Sequence, residues 1–264
     1  MESPLATVDW SRPWFAPWRA VGHLVASRGA RGAPLHQALN RQGSTVVRFV
    51  PQAALPAHTA YESFIFSSAQ CPTRDGLHDF FNGLCWLQLP LAKQQLNALQ
   101  ARAIAAAAAD APRGRLRDAI TVFDENGALL DAPQPLWEAL LAREWWQLFV
   151  ELRPLWSQAR VLVFGHALLE KLVAPRKALT AHVWHAPCPL ENLGEADAWL
   201  AGEFTPARLA AKPFLPLPVL GIPGWWPENQ NVSFYDDPVV FRKGRSEQQL
   251  PGRGERTMPA PPRS

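Results

Sequence analysis

Apolar and polar residues recur along this chain mainly with the period of a helix. Between Pro72 and Leu89, large apolar residues return every three or four positions, which predicts an amphipathic helix. The same spacing predicts six further helices, over residues 17–27, 34–41, 91–110, 135–153, 166–172 and 192–203. Helices are therefore expected to dominate the fold.

Short apolar runs predict a few strands between these helices. They cover residues 45–50, 161–164 and 179–185. In the segment AITVFDENGALL, two apolar runs flank Asn126-Gly127, a dipeptide typical of the tight turn of a β-hairpin. The predicted fold is α+β: a helix-rich single domain with a small sheet that includes one β-hairpin.

The periodic pattern is interrupted at both ends of the chain. Residues 1–18 carry three tryptophans among prolines, and we expect an irregular arm whose indoles pack on the body or bind a partner. Residues 19–242 are predicted to form one globular domain. Residues 243–264 lack apolar periodicity and are predicted to be a disordered basic tail.

Composition and charge narrow the class of partner and the location. The chain has 264 residues, a formal charge of +3 and only three cysteines. The tail carries five basic and two acidic residues, so residues 1–242 sum to zero and give no support for nucleic-acid binding. Neither a signal peptide nor an apolar run long enough for a membrane span is visible, and a cytoplasmic location is expected. A protein partner would bind through the tryptophan arm or the tail.

Several standard catalytic motifs do not occur in the sequence. There is no GxGxxG or GxxxxGK[ST] loop, no GxSxG turn, no HExxH pair and no CxxC pair. Candidate chemistry must therefore come from looser groups of polar residues.

The first such group lies on the helix predicted over 72–89. Asp75, His78, Asp79 and Asn82 fall three or four residues apart and form one polar stripe, with Arg74 at its N-terminal edge. A histidine beside carboxylates suits acid–base catalysis, so His78, Asp79 and Asp75 are the candidate catalytic residues, and Arg74 and Asn82 the candidate substrate ligands. The same residues also suit an ordinary solvated helix face.

A second group consists of residue types that bind metals. His166 and Glu170 lie one turn apart on the helix that follows the strand at 161–164. His182 begins a run with His185, Cys188 and Glu191, although strand residues three apart point to opposite faces. We take His166, Glu170 and His182 as the candidate ligands of a divalent metal.

The proline-rich segment from residue 213 onward is the last candidate region. Trp225 lies in an aromatic stretch that could wall a pocket, and Asp236 follows it with a polar group. Both are candidate substrate contacts. The alternative is that this segment only closes over the core, with its acids in water.

The ordered blocks PTRDGLHDFFNGLCWL, PRGRLRDAITVFDENGALL, VFGHALLEKL and LPVLGIPGWW resemble a bacterial family catalogued as domain of unknown function 3025. The resemblance spans residues 45–242 and implies no reaction, ligand or fold. It includes His182 in the family pattern but not His185 or Cys188, which weighs against a zinc site built from that run.

Two functional hypotheses follow from the sequence. In the first, His78, His166 and His182 converge in one polar pocket that performs hydrolytic or acid–base chemistry with a divalent metal, a nuclease being one form of it. In the second, the protein is a non-catalytic binding or adaptor module that uses its aromatic surfaces.

Overall fold

A computed structural model describes residues 4–43, 46–107 and 114–242 of the chain. It confirms the α+β class, with many helices around two small sheets. The predicted disordered tail, residues 243–264, lies outside the described residues. Among the helices that the structure describes, none combines the length and apolar character needed to cross a membrane.

The α-helices in the described part of the chain are short to medium in length. In chain order they are α1 (Arg19–Ala30), α2 (Leu35–Asn40), α3 (Tyr61–Ser68), α4 (Leu77–Gln88), α5 (Pro90–Ala105), α6 (Arg115–Asn126), α7 (Gln134–Ala142), α8 (His166–Lys171), α9 (Leu193–Glu203) and α10 (Pro206–Ala210). The strands are β1 (Arg48–Pro51), β2 (Gln70–Thr73), β3 (Gly127–Asp131), β4 (Arg160–Val163), β5 (Thr180–His185) and β6 (Leu215–Pro218).

The larger sheet has the strand order β4-β3-β5-β6. Its central strand β3 runs antiparallel to β4 and parallel to β5, and β6 closes the far edge antiparallel to β5. The residues Gly127 to Leu130 are buried, as expected of a strand covered on both faces. This sheet fixes where α6 ends and where α8 begins.

The smaller sheet corrects the predicted start of the helix at Pro72. Residues 70–73 form β2, which pairs in parallel with β1, and α4 begins only at Leu77. A residue before proline avoids the helical region, which favours an extended Cys71. Asp75 does not cap α4; its carboxylate accepts a hydrogen bond of 2.8 Å from the backbone N–H of Leu35, at the start of α2.

The hairpin predicted around Asn126-Gly127 is wrong. Residues 115–126 form α6, and the chain changes from helix to strand at Gly127. Ala119, Ile120 and Phe123 are buried on one side of that helix, so their spacing belongs to a helix rather than to a strand. Asn-Gly marks a helix end here, where a Cβ on Gly127 would lie 2.4 Å from the carbonyl oxygen of Phe123.

The helix predicted over 135–153 is also interrupted. Arg143 adopts a left-handed conformation with φ of 55°, and α7 ends at Ala142. The N–H of Glu144 donates to the carbonyl of Ala139, and that of Arg143 to the carbonyl of Leu140, a pair of bonds that terminates helices. A π-helical turn, Gln147–Glu151, follows.

The N-terminal segment, residues 4–18, packs against the back of α4. It forms two 3-10 turns, Pro4–Thr7 and Pro13–Trp18. Its three tryptophans are buried, so they do not form an exposed apolar surface. The ring of Phe15 stacks on that of Phe81 at 5.5 Å, and Trp10 meets Phe80 at 6.2 Å.

Two of the three cysteines are core residues. Cys71 and Cys85 are buried, and burial raises the pKa of each thiol to about 12. We call them the core thiols. Cys188 is only half-buried.

Candidate functional site

A cavity of about 400 Å³ opens among α3, α4, α5, α6 and α8. Its lining is dominated by charged and amide side chains, which is unusual for a space inside a helical layer. The histidines that contribute to it are His78 from α4 and His166 from α8. Buried polar groups gathered in a cavity are a common mark of a functional site.

Backbone hydrogen bonds at the start of β3 place α6 and α8 side by side. The carbonyl of Gly127 accepts from the N–H groups of both Phe164 and Gly165, at 3.0 and 2.8 Å. A Cβ on Gly165 would lie 2.5 Å from the backbone of Glu125 and Asn126, so only glycine allows this approach. As a result His166, the next residue, lies against the last turn of α6.

The two histidines meet through their Nε2 atoms. Nε2 of His78 lies 3.1 Å from Nε2 of His166, and the two rings are nearly perpendicular. His166 is buried, which lowers its pKa to about 4 and keeps the ring neutral at pH 7. His78 is 37% exposed and lies towards the mouth of the cavity.

A carboxylate lies behind each ring, on the Nδ1 side. Nδ1 of His78 lies 3.0 Å from Oε2 of Glu170. Nδ1 of His166 lies 3.7 Å from Oδ2 of Asp124 and is buried without a hydrogen bond. Carboxylates in these positions favour a proton on each Nδ1, which leaves both Nε2 lone pairs directed at the space between the rings.

Glu125 completes a set of three potential metal ligands. Its Oε2 lies 3.6 Å from Nε2 of His166, and the ligand atoms of His78, Glu125 and His166 all lie within 4.8 Å of one another. Two nitrogens bound to one tetrahedral zinc ion, at about 2.05 Å each, are about 3.3 Å apart. The observed separation of 3.1 Å fits that geometry closely.

An ion pair lies deeper in the same cavity. Nζ of Lys93 donates to Oδ1 of Asp124 at 2.5 Å, and the lysine side chain is 5% exposed. Burial is the strongest single influence and acts to lower the pKa of Lys93, but Asp124, together with Cys85 and Glu62, outweighs it and the pKa is raised. Burial likewise acts to raise the pKa of Asp124, and Lys93 and His166 bring it below its usual range. Both groups therefore remain charged.

A third carboxylate, Glu62 of α3, lines the cavity. Burial, followed by the charge of Asp124, raises its pKa. Its Oε2 accepts a hydrogen bond of 2.5 Å from Nδ2 of Asn97. A carboxyl group with a raised pKa beside a potential metal site is suited to accept and return protons near neutral pH.

The sequence-predicted residues divide into two sets. His78, His166 and Glu170 come together without His182, and Arg74, Asp79 and Asn82 line the cavity beside them. Asp79 accepts three hydrogen bonds from Arg74, through the backbone N, Nε and Nη2, at 2.6 to 3.2 Å. Asp79 thus holds the arginine in place, and its oxygens are already occupied.

The remaining candidates lie elsewhere. Asp75 borders an open cleft outside the cavity, with its carboxylate occupied by α2. His182 lies beside Phe214 on β5, outside the three-ligand set. Trp225 packs on Trp14, and Asp236 is exposed in a 3-10 turn.

Glu125 and Lys93 were not among the predicted site residues, and no role in the site was predicted for Asp124. Asp124 and Glu125 lie in the DENG segment, which was interpreted as a hairpin turn. Helical spacing was the available signal: with α6 extended to residue 126, Asp124 and Glu125 fall in its last turn, next to the start of β3. Lys93 is a cation on a helix that is otherwise rich in Ala, Leu and Gln.

A family model described as "Protein of unknown function (DUF3025)" matches residues 47–245. The match includes all the side chains of the cavity. Searches of curated proteins and of solved structures found no significant match.

Proposed function

We propose that this chain, which belongs to the family "Protein of unknown function (DUF3025)", is a metal-dependent hydrolase. The family description itself names no reaction. In this proposal His78, Glu125 and His166 bind one divalent metal ion of the zinc type. The substrate enters the adjoining cavity.

The separation of the two Nε2 atoms carries the proposal. With protons on both Nδ1 atoms, two lone pairs face each other at 3.1 Å, and either a metal ion or a third proton, held in a hydrogen bond from Nε2 of His78 to Nε2 of His166, must lie between them. The alternative, a hydrogen bond between the rings with the proton on Nε2 of His166, would direct an Nδ1 lone pair at Asp124. A lone pair that faces a carboxylate is unfavourable, so a proton on Nδ1 of His166 suits its surroundings better.

The number of protein ligands favours a catalytic over a structural ion. Structural zinc sites use four protein ligands, whereas catalytic ones use three and leave a position for water or substrate. Three ligand groups converge here within the described residues, and they face a cavity of about 400 Å³. A site of this kind is accessible to a small molecule.

The other residues of the cavity suit a hydrolytic reaction. A bound divalent ion would lower the pKa of a water molecule and polarise the bond to be cleaved. Glu62, with its raised pKa, would accept the proton of the water, and Lys93 keeps Asp124 charged beside His166. Arg74 lies at the mouth, 66% exposed, where it can meet an incoming group.

The alternative of an adaptor module has less support. It was based on the tryptophan arm, the aromatic segment 214–226 and the basic tail. The three tryptophans of the arm are buried in the protein's own core, and the tail lies outside the described residues. The large apolar side chains that remain exposed in the described residues come from separate elements, such as α1, α3 and α7. Single exposed apolar residues are normal on a protein surface and do not by themselves mark a docking surface.

The test is metal binding followed by a substrate screen. Purified protein is stripped with a chelator and titrated calorimetrically with Zn²⁺, Mn²⁺ and Fe²⁺, for the wild type, His78→Gln, His166→Gln and His182→Gln. One equivalent is expected in the wild type and in His182→Gln, and at least about a hundredfold weaker binding in the other two variants. His182→Gln is the matched control, because it removes a histidine outside the ligand set.

The loaded protein is then screened with chromogenic esters, amides and phosphodiesters. Hydrolysis that is lost in His78→Gln and retained in His182→Gln would support the proposal. Absence of binding for all three metals in the wild type would refute it. Binding of Fe²⁺ alone, with oxygen consumption and no hydrolysis, would replace the hydrolase with an oxygenase.

A further inference from the structure

A buried amide on α5 presents an unpaired acceptor to the cavity. Nε2 of Gln100 donates to Oγ1 of Thr121 at 3.4 Å, and that hydroxyl itself donates to the carbonyl of Arg117 at 3.0 Å. Because the Thr121 hydroxyl donates its one proton to the carbonyl of Arg117, it accepts a hydrogen bond from Gln100. The NH2 group of the Gln100 amide therefore faces Thr121, and its oxygen faces away. Oε1 of Gln100 is then buried without a hydrogen bond, in a residue only 6% exposed.

Asn82 on α4 repeats this arrangement. Its Nδ2 donates to the hydroxyl of Tyr61 at 3.2 Å, and that hydroxyl donates to the carbonyl of Pro72 at 3.3 Å. Oδ1 of Asn82 is buried without a hydrogen bond, in a residue 7% exposed. Both residues line the cavity that holds the histidines.

Unpaired buried acceptors are costly, and each costs the fold about 1–3 kcal/mol unless a partner is supplied. Two of them in one cavity, together with the carboxylate of Glu62, form a surface that accepts hydrogen bonds. We call Asn82 Oδ1, Gln100 Oε1 and the Glu62 carboxylate the acceptor wall. Such a surface is suited to a ligand that donates.

From this we infer the substrate class of the proposed hydrolase: a small uncharged or cationic molecule that carries amine or hydroxyl groups. The inference rests on the proposed function for the identity of the reaction, but the acceptor wall exists independently of the metal ligands. The amine or hydroxyl groups of the substrate bind the acceptor wall, and the bond to be cleaved lies towards His78 and His166.

The charges at the acceptor wall disfavour an anionic substrate there. The cationic side chains in its described lining, Arg74 and Lys93, are already hydrogen-bonded to Asp79 and Asp124. A phosphate or carboxylate placed at the acceptor wall would face Glu62 and two carbonyl oxygens without a free cation. Like charges and unpaired acceptors in a buried site disfavour such a ligand strongly.

The experiment uses three four-carbon probes that differ in their polar groups: 1,4-diaminobutane, erythritol and succinate. Each is titrated into the zinc-loaded and the chelator-treated wild type, and binding is followed by calorimetry and by the shift in the thermal midpoint. We expect the diamine and the tetrol to bind and to stabilise the protein. Succinate is expected to bind only the zinc-loaded form, or not at all.

The decisive variant is Gln100→Leu, with Gln95→Leu as its matched control. Gln95 lies on the same helix but donates to the carbonyl of Phe204, outside the cavity. Gln100→Leu should weaken diamine binding at least about tenfold, the cost of one hydrogen bond to a charged donor. It should leave zinc affinity unchanged, and because it removes an unpaired acceptor, the midpoint of urea unfolding should not fall.

The outcomes separate this inference from the proposed function. Normal zinc binding with no response to either donor probe, or equal diamine affinity in Gln100→Leu and the wild type, would overturn the acceptor wall and leave the hydrolase standing. A lower unfolding midpoint in Gln100→Leu with unchanged diamine binding would assign Gln100 a structural role instead. Donor binding without any zinc binding would support the acceptor wall and refute the metal site.

Discussion

Replacing Glu170 with glutamine removes the negative charge behind His78 without changing the size of the side chain. Oε2 of Glu170 lies 3.0 Å from Nδ1 of His78, which places the carboxylate where it fixes the ring and leaves the Nε2 lone pair for a metal ion. The amide oxygen of a glutamine can still accept a hydrogen bond from the Nδ1–H group of His78. The orientation of the ring would therefore be retained in part, and only the charge would be lost.

The magnitude follows from the type of contact and its exposure. Loss of a carboxylate behind a metal-binding histidine costs about 10- to 100-fold in metal affinity. The side chains of His78 and Glu170 are 37% and 39% exposed, so solvent screens this contact and the lower end applies. We expect Glu170→Gln to weaken zinc binding about tenfold, or about 1.4 kcal/mol.

The assay is competition for zinc with a chromophoric chelator at pH 7.5. The control is Glu191→Gln, which removes an exposed carboxylate paired with Arg160 and changes the net charge equally. The control should bind zinc like the wild type. Equal affinity in Glu170→Gln and Glu191→Gln would refute the view that the carboxylate behind His78 tunes a metal ligand.

Three further predictions concern the core around the site. Lys93→Met leaves Asp124 as an uncompensated buried charge, so it should lower the free energy of unfolding, measured with urea, by about 3–5 kcal/mol. A decrease below about 1 kcal/mol would contradict a buried ion pair. Gly165→Ala forces a Cβ to 2.5 Å from the facing backbone, so it should lower the free energy of unfolding by about 1–3 kcal/mol and also weaken zinc binding. The control Gly202→Ala places its Cβ where nothing lies within 4 Å, and it should be neutral or stabilising. A thiol-specific disulfide reagent at pH 8 should release one equivalent of chromophore from the native protein, through Cys188, and three equivalents after denaturation. The core thiols, with pKa values of about 12, stay protonated in the native protein and do not react. Three equivalents from the native protein would argue against the packing of α4.

Local patterns were sufficient for the elements with a single clear period. The run HALLEKL after VLVF predicted β4 and α8 nearly in place, and Leu77 to Leu87 predicted the apolar face of α4. For the DENG segment the local sequence pattern was ambiguous, because Asn-Gly is typical both of a hairpin turn and of the end of a helix. The burial of Phe123 decided for the helix, and burial depends on the rest of the fold.

The candidate site was predicted in part for a related reason. His78 and Glu170 are 92 positions apart, and the polar stripe gave no indication that α8 would lie against it. Residue types that suit a site pointed to His78 and His166 but also to His182, which lies beside Phe214 and near Lys212. Which of these histidines meet depends on Gly165 and on the carbonyl of Gly127, and neither carries a chemical signal of its own.

The packing of the N-terminal segment bears on where this protein can be shortened. The family match begins at residue 47, yet Phe15 and Trp10 cover Phe80 and Phe81 on the side of α4 that faces away from the cavity. A fragment that began at the family boundary would uncover two phenylalanines that are fully buried. It should aggregate or lose the position of His78, so recombinant versions need to keep the residues upstream of the recognised region.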